Sequence, residues 1–236
     1  MVVSDVKYFF VRPEVGLDTP ICQYLDLDYL LRLLTTNKYF VRCKNCFSDK
    51  NEKLPPLKDM FPVYPADKKP DKSILERDMT AFEDKLALCK KRGHLPASCW
   101  TLRNKESDLM WSGYTTKLGA CIRSTVRRFI TAIDYTGYKL MYGRMSYNGY
   151  GYYQENELFS KDPAFADEEE LRFYFVPEDS SEMPEDNVYL KAETKNLIDE
   201  IILSPRIEPV AASELRTMLS EKYGVRIVPS MNRIGA

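Results

Sequence analysis

The sequence predicts an α+β fold: a single domain over residues 1–236, with a mixed or antiparallel sheet and flanking helices. Three observations predict it. Segments of period two and segments of helical period alternate irregularly, unlike the regular βαβ succession of a doubly wound sheet. The 236 residues are 44% hydrophobic, enough for one sizeable core. No internal repeat and no break in composition marks a second domain.

The elements follow in order. KYFFVR (7–12) reads as a first strand, stopped by Pro13. Asp26 is placed to cap a helix in which Leu27, Leu30, Leu31 and Leu34 recur at helical spacing, ending near Asn37. A strand, KYFVRC, follows at once. Residues 49–72 are irregular and carry prolines, which predicts a long loop or lid. Ser73 with Glu76 forms a capping-box pattern before a helix with an apolar stripe of Leu75, Met79, Phe82, Leu86 and Cys89, stopped at Gly93. Next come a strand ASCWTL, a helical turn ESDLMWSGYT, a strand ACIRS, a helix TVRRFITAI and a strand YKLMYGRMSY. The Gly- and Tyr-rich run 147–153 reads as a hairpin connection, and DEEELRFYFVPE (167–178) as a strand. After an acidic loop the chain ends with a strand IILS, a helix capped by Ser213 and stopped at Gly224, and a strand VRIVPS.

Charge and composition exclude several functions. With 34 basic against 35 acidic residues, the chain has no global field to steer nucleic acid or an anionic membrane, though a local basic patch is compatible with this balance. No apolar run approaches the roughly 20 residues of a membrane span. The opening MVVSDVKYFFVRPEVG has no signal-peptide pattern, so the expected compartment is the cytoplasm. Six cysteines include one C-x-x-C pair, Cys43 and Cys46, but no second pair, and His94 is the only histidine. No metal is therefore expected, and Cys89, Cys99 and Cys121 read as small core residues.

The chemistry concentrates in the 167–178 strand. There Glu168, Glu170 and Arg172 alternate with Leu171, Phe173 and Phe175, so both carboxylates and the guanidinium fall on one face, roughly 6.5 Å apart. One reading is a solvated edge strand with a salt-bridge ladder. The other is a site that holds a substrate hydroxyl or faces developing positive charge. Asp49 and Glu52 form a second acidic pair, which could cap a turn, pair with Arg172 or bind a divalent metal. Ser98–Thr101 (SCWT), Leu109–Tyr114 (LMWSGY) and Gly119–Arg123 (GACIR) complete four ordered clusters. Trp100, Trp111 and Tyr114 are either core residues or a stacking shelf.

This ordered set resembles a bacterial and phage family known only as a domain of unknown function, family twenty-nine seventy-one. Its members carry an aromatic followed by D-x-x-E, then C-[FW]-S, M-W-x-x-Y, G-x-x-I and E-x-E-x-R. The resemblance covers nearly the whole chain. Two departures stand out: Ser48, Asp49 and Lys50 replace the usual Asn-Asp-Pro, and Arg123 replaces a commonly small residue. The layout is also similar to that of ADP-ribosyltransferases, with Arg on an early strand, Ser on a middle strand and E-x-E on a late one. That likeness implies NAD as substrate and catalytic roles for Glu170 and Glu168. It further implies cofactor contacts from Arg12, Ser98, Trp100, Trp111, Tyr114 and Arg123, a macromolecular acceptor, and a setting in phage defence. A non-catalytic sensor module of a defence system, with the ionic groups as a buried network, and a metal-dependent nuclease using Asp49, Glu52, Glu168 and Glu170 are the competing expectations.

Overall fold

A computed structural model describes residues 8–11, 15–47, 71–147, 157–179, 183–184 and 186–232. Its strands are β1 (Tyr8–Val11), β2 (Pro20–Asp26), β3 (Lys38–Cys43), β4 (Pro96–Thr101), β5 (Gly119–Thr125), β6 (Ile133–Asp134), β7 (Tyr138–Arg144), β8 (Glu170–Pro177), β9 (Val188–Ala192), β10 (Glu200–Leu203) and β11 (Ile227–Val228). The helices are α1 (Leu27–Thr36), α2 (Lys72–Gly93), α3 (Asp108–Tyr114), α4 (Val126–Ala132), α5 (Thr194–Leu197) and α6 (Pro209–Tyr223). The expected α+β domain with one mostly antiparallel sheet and flanking helices is what folds. Among the described residues no helix is long and apolar enough to cross a membrane.

The main path of the sheet runs β1-β7-β8-β4-β2-β5-β10-β11. The β1–β7 and β10–β11 pairs are parallel, and the pairs between them are antiparallel. One irregularity matters most. Beside β4 the sheet forks: β3 pairs with its start at Ala97 and Pro96, whereas β2 pairs with its end at Thr101. At the fork the Cys99 carbonyl accepts a hydrogen bond from the Gln23 side chain, 3.1 Å away, in place of a strand partner.

One face of the sheet is the apolar core. Leu171, Phe173 and Phe175 of β8 and Trp100 of β4 pack there under α1 and α4, with the Phe129 ring centroid 4.1 Å from that of Phe173 and the planes tilted by 34°. Fully burying a side chain such as Phe173 contributes about 1.5–3 kcal/mol. The other face carries Glu170, Arg172 and Tyr174, and the segment 157–168 covers it. Gly143 stands opposite Arg172 on β7, and a Cβ there would come within 3.2 Å of the Phe159 ring. Glycine thus lets that segment settle onto the sheet beside the charged residues.

Several sequence expectations are corrected. β8 lies between β7 and β4, so it is not a solvated edge: every residue from Glu170 to Phe175 is buried. Glu168 is not in the strand. It ends a 3₁₀ turn (Pro163–Glu168), and Glu169 then takes the left-handed conformation at φ 45° before β8 begins. Asp26 sits at the N-cap of α1 but makes no capping bond. Its carboxylate instead accepts from the Thr116 N–H and hydroxyl at 2.6 and 2.8 Å, tying α1 to the turn before β5. Ser213 does not cap α6. Pro209 opens that helix, and the Glu208 carboxylate accepts from the Ala211 N–H at 3.0 Å, because proline at the first position supplies the fixed φ. Strands β2 and β9 are unread in the sequence; β2 is one arm of the fork, and β9 backs the other arm by pairing with β3. The expected lid and hairpin connection lie almost wholly outside the described residues.

Candidate active site

The fork opens into a cleft of about 460 Å³. Its walls come from β2, β3, β4, α1, α3 and the 157–172 segment, and the register of β4 sets Arg42 beside Ala97 at its start and Glu170 beside Thr101 at its end. Alternation along β4 supplies both sides of the site. Ser98 and Trp100 point to the core face, while Cys99 and Thr101 share the opposite face with Arg172 and Glu170, their partners in register.

On that opposite face four ionised groups are buried together: Lys161, Glu168, Glu170 and Arg172. Arg172 grips Glu170 with two parallel bonds, Nε to Oε1 at 2.7 Å and Nη2 to Oε2 at 3.0 Å. Lys161 Nζ bridges the two acids, 2.5 Å from Glu168 Oε2 and 3.1 Å from Glu170 Oε2. The Tyr114 hydroxyl donates to the other Glu168 oxygen. Arg172 also donates to the Tyr174 hydroxyl at 3.1 Å, and its guanidinium lies 5.2 Å from the Phe47 ring centroid. Lys161 sits 4.7 Å from the Phe165 ring, held by the turn that begins at Asp162 and Pro163. Two cations balance two anions in a volume that excludes most water.

The electrostatics follow. Burial works to raise the Glu170 carboxyl, but the Arg172 and Lys161 charges and the Arg172 bonds outweigh it and hold it at about 2. Burial works to lower the Lys161 ammonium, and the charge of Glu170 leads the effects that push it well up instead. Burial pushes the Tyr114 hydroxyl up, and its bond to Glu168 pushes the same way. Glu170 is therefore an anion at any physiological pH.

A polar relay spans the fork from the other side. The Tyr39 hydroxyl lies 2.6 Å from Ser98 Oγ and 2.8 Å from Gln23 Oε1, and Trp100 Nε1 donates to Ser98 at 2.9 Å. Burial raises the Tyr39 hydroxyl well above its ordinary range despite these bonds. Ser98, Trp100, Tyr114, Glu168, Glu170 and Arg172 of the expected set thus line one cleft.

Two other expected residues that are described, Trp111 and Arg123, lie outside the cleft lining. Trp111 is completely buried beside the cleft wall, edge-on to Tyr24 at 4.8 Å, with its Nε1 donating to Glu106 at 3.2 Å. Arg123 is one strand further along, paired with Glu200 at 2.5 Å. Arg12, Asp49 and Glu52 lie outside the described residues. Among the described residues no cluster of three or more metal-ligating side chains occurs. Of the residues that sequence reasoning missed, Lys161 had a signal: it is the lone base before an acidic run through Glu170, and a buried run of that kind requires a counter-charge. Gln23, Tyr39 and Arg42 had none, since only the fork brings them to the site.

No protein-family model matches the chain, and no curated protein matches it, so the family implied by the motif order gains no support there. A solved structure similar to the chain is that of DarT from Thermus sp. 2.9 in complex with ADP-ribosylated ssDNA. The two share 10% identity over 93% of this chain and 96% of that chain, with a TM-score of 0.41. At that distance the likeness says nothing about chemistry.

Proposed function

We propose that the chain is an NAD-using enzyme of ADP-ribosyltransferase type. It breaks the nicotinamide–ribose bond and passes ADP-ribose to a macromolecular acceptor or to water. The observation that carries this reading is Glu170: a carboxylate kept ionised by Arg172 and buried in the wall of a cleft large enough for a nucleotide. When that bond breaks, its electron pair leaves with nicotinamide and positive charge develops on the ribose. An anion fixed in a water-poor site stabilises that charge without reorganising, by the logic of glycosidase carboxylates. Glu168, linked to the cleft mouth through Tyr114, is the partner positioned to receive the acceptor's proton. The setting we infer from the motif order is bacterial defence against phage.

Incubation of purified protein with labelled NAD and cell lysate tests the reading. Label transfer or nicotinamide release that disappears in Glu170→Gln supports it, and neither from wild type removes it.

A second reading has its own observation. Both oxygens of Glu168 and both of Glu170 already bond to protein donors. A self-satisfied network of this kind would fix the fold of a non-catalytic module. The same arrangement leaves four-carboxylate metal chemistry poorly served, because cations of the chain hold the oxygens a metal would need. Strong loss of melting temperature in Glu170→Gln, with no NAD turnover by wild type, favours the network reading.

A further inference from the structure

At the end of the cleft away from Glu170, we propose, the β3 wall is a nucleoside-diphosphate subsite: Arg42 takes the diphosphate, and Phe40 with Tyr29 takes the base. Within the proposed function this is the ADP half of the dinucleotide, so the assignment builds on that reading, but it is tested apart from it.

Charge bookkeeping across the cleft leads to Arg42. Among the described residues three acids line the cleft, and each is engaged elsewhere: Asp26 with Thr116, Glu168 with Lys161 and Tyr114, and Glu170 with Arg172 and Lys161. Arg172 and Arg123 have carboxylates of their own. Arg42 is exposed on β3, lines the cleft, and has no carboxylate partner among the described residues. Its guanidinium lies 6.0 Å from the Phe40 ring centroid, at the outer limit of a cation–π contact. Its planar fork of donors stands at the lip of a cleft whose two glutamates are neutralised by Lys161 and Arg172, and so is available to an anion.

The neighbouring rings narrow the anion to one that carries a flat group. Alternation along β3 puts Phe40 and Arg42 on the same side, roughly 6.5 Å apart. Tyr29 of α1 lies beside Phe40 with ring centroids 5.2 Å apart and planes 31° from parallel. Behind them Tyr189 packs on Phe40 at 5.3 Å, and the Arg32 guanidinium donates to its hydroxyl at 2.9 Å. The shelf is therefore braced from the outside and open towards the cleft. Aromatic faces stack on nucleobases, and the guanidinium beside them reaches the phosphates. A free phosphate or sugar phosphate would leave the shelf unused.

Calorimetric titration of the whole chain with ADP, adenosine and inorganic pyrophosphate separates the contributions. Wild type is expected to bind ADP more tightly than either fragment. Arg42→Gln should weaken ADP and pyrophosphate about tenfold while leaving adenosine unchanged. Phe40→Leu should weaken ADP and adenosine and leave pyrophosphate unchanged. Both sites are at the surface of the cleft, and unchanged melting temperatures verify that the variants fold. Failure of wild type to bind ADP, or equal affinity in Arg42→Gln, overturns the subsite. Nicotinamide release with an unaltered KM for NAD in Arg42→Gln removes the subsite and leaves the enzyme reading standing. ADP binding through Arg42 without any NAD turnover does the reverse. Binding of acidic peptide but not ADP assigns the wall to a protein partner and also overturns the subsite.

Discussion

Along β8, Leu171, Phe173 and Phe175 point to one face of the sheet and Glu170, Arg172 and Tyr174 to the other, and all six are buried. The first set is held by area and packing, through α1 and α4. The second is held by pairing: each charge is offset by an opposite charge within hydrogen-bond distance. Burial on the apolar face stabilises directly. Burial on the ionic face costs desolvation that the pairs offset only while complete, so a chain that keeps such a face in its centre gains little stability from it. The contrast argues that the ionic face is kept for what it does.

The comparison can be broken from either side. Phe173→Ala empties space against Phe129 and should cost about 3–5 kcal/mol, a fall in melting temperature of roughly 10 °C followed by circular dichroism. Arg172→Met should cost a similar amount, about 3–5 kcal/mol, for the opposite reason: Glu170 is left buried without its main counter-charge. The double variant Glu170→Gln with Arg172→Met should recover much of that loss. No double variant recovers Phe173→Ala in this way, since a cavity has no partner to neutralise. Should the double variant be as unstable as Arg172→Met alone, the ionic face does not act as a pair.

Acid sharpens the same difference. The Glu170 carboxyl lies at about 2 in the folded chain against an ordinary 4.5. Its contribution, on the order of 3 kcal/mol, is thus complete above pH about 4.5 and is lost as pH falls towards 2. Urea unfolding between pH 5 and 3 should show a slope that Glu170→Gln flattens and that Phe173→Leu leaves intact. The smallest expected effect is that of Tyr114→Phe. Its hydroxyl reaches Glu168 from a partly exposed ring, so about 1 kcal/mol of stability should go, read in the same urea experiment.

The alternation of Leu171, Phe173 and Phe175 with Glu170 and Arg172 was legible because a strand's two-residue period is written directly in the chain. So were α1, from its leucine spacing, and the end of α2 at Gly93. The strand's place in the sheet was not legible: period-two alternation with charges reads as a half-solvated edge, whereas the 157–168 segment, which has no periodicity, covers the charged side. Glu168 escaped for a related reason. It continues the alternation on paper, but the left-handed Glu169 breaks the strand and Lys161 brings the carboxylate back to the same place. The fork between β2 and β3 depends on contacts distant in sequence, from Cys43 with Pro96 to Cys22 with Thr101, which no local pattern encodes.

Nicotinamide release from NAD, measured on wild type and Glu170→Gln together with their melting curves, tests most directly whether the ionic face is a catalytic centre. Release by wild type and none by Glu170→Gln, with both proteins still folded at the assay temperature although the variant melts lower, is the expected result. Equal release by the two proteins, or none by a fully folded wild type, contradicts it.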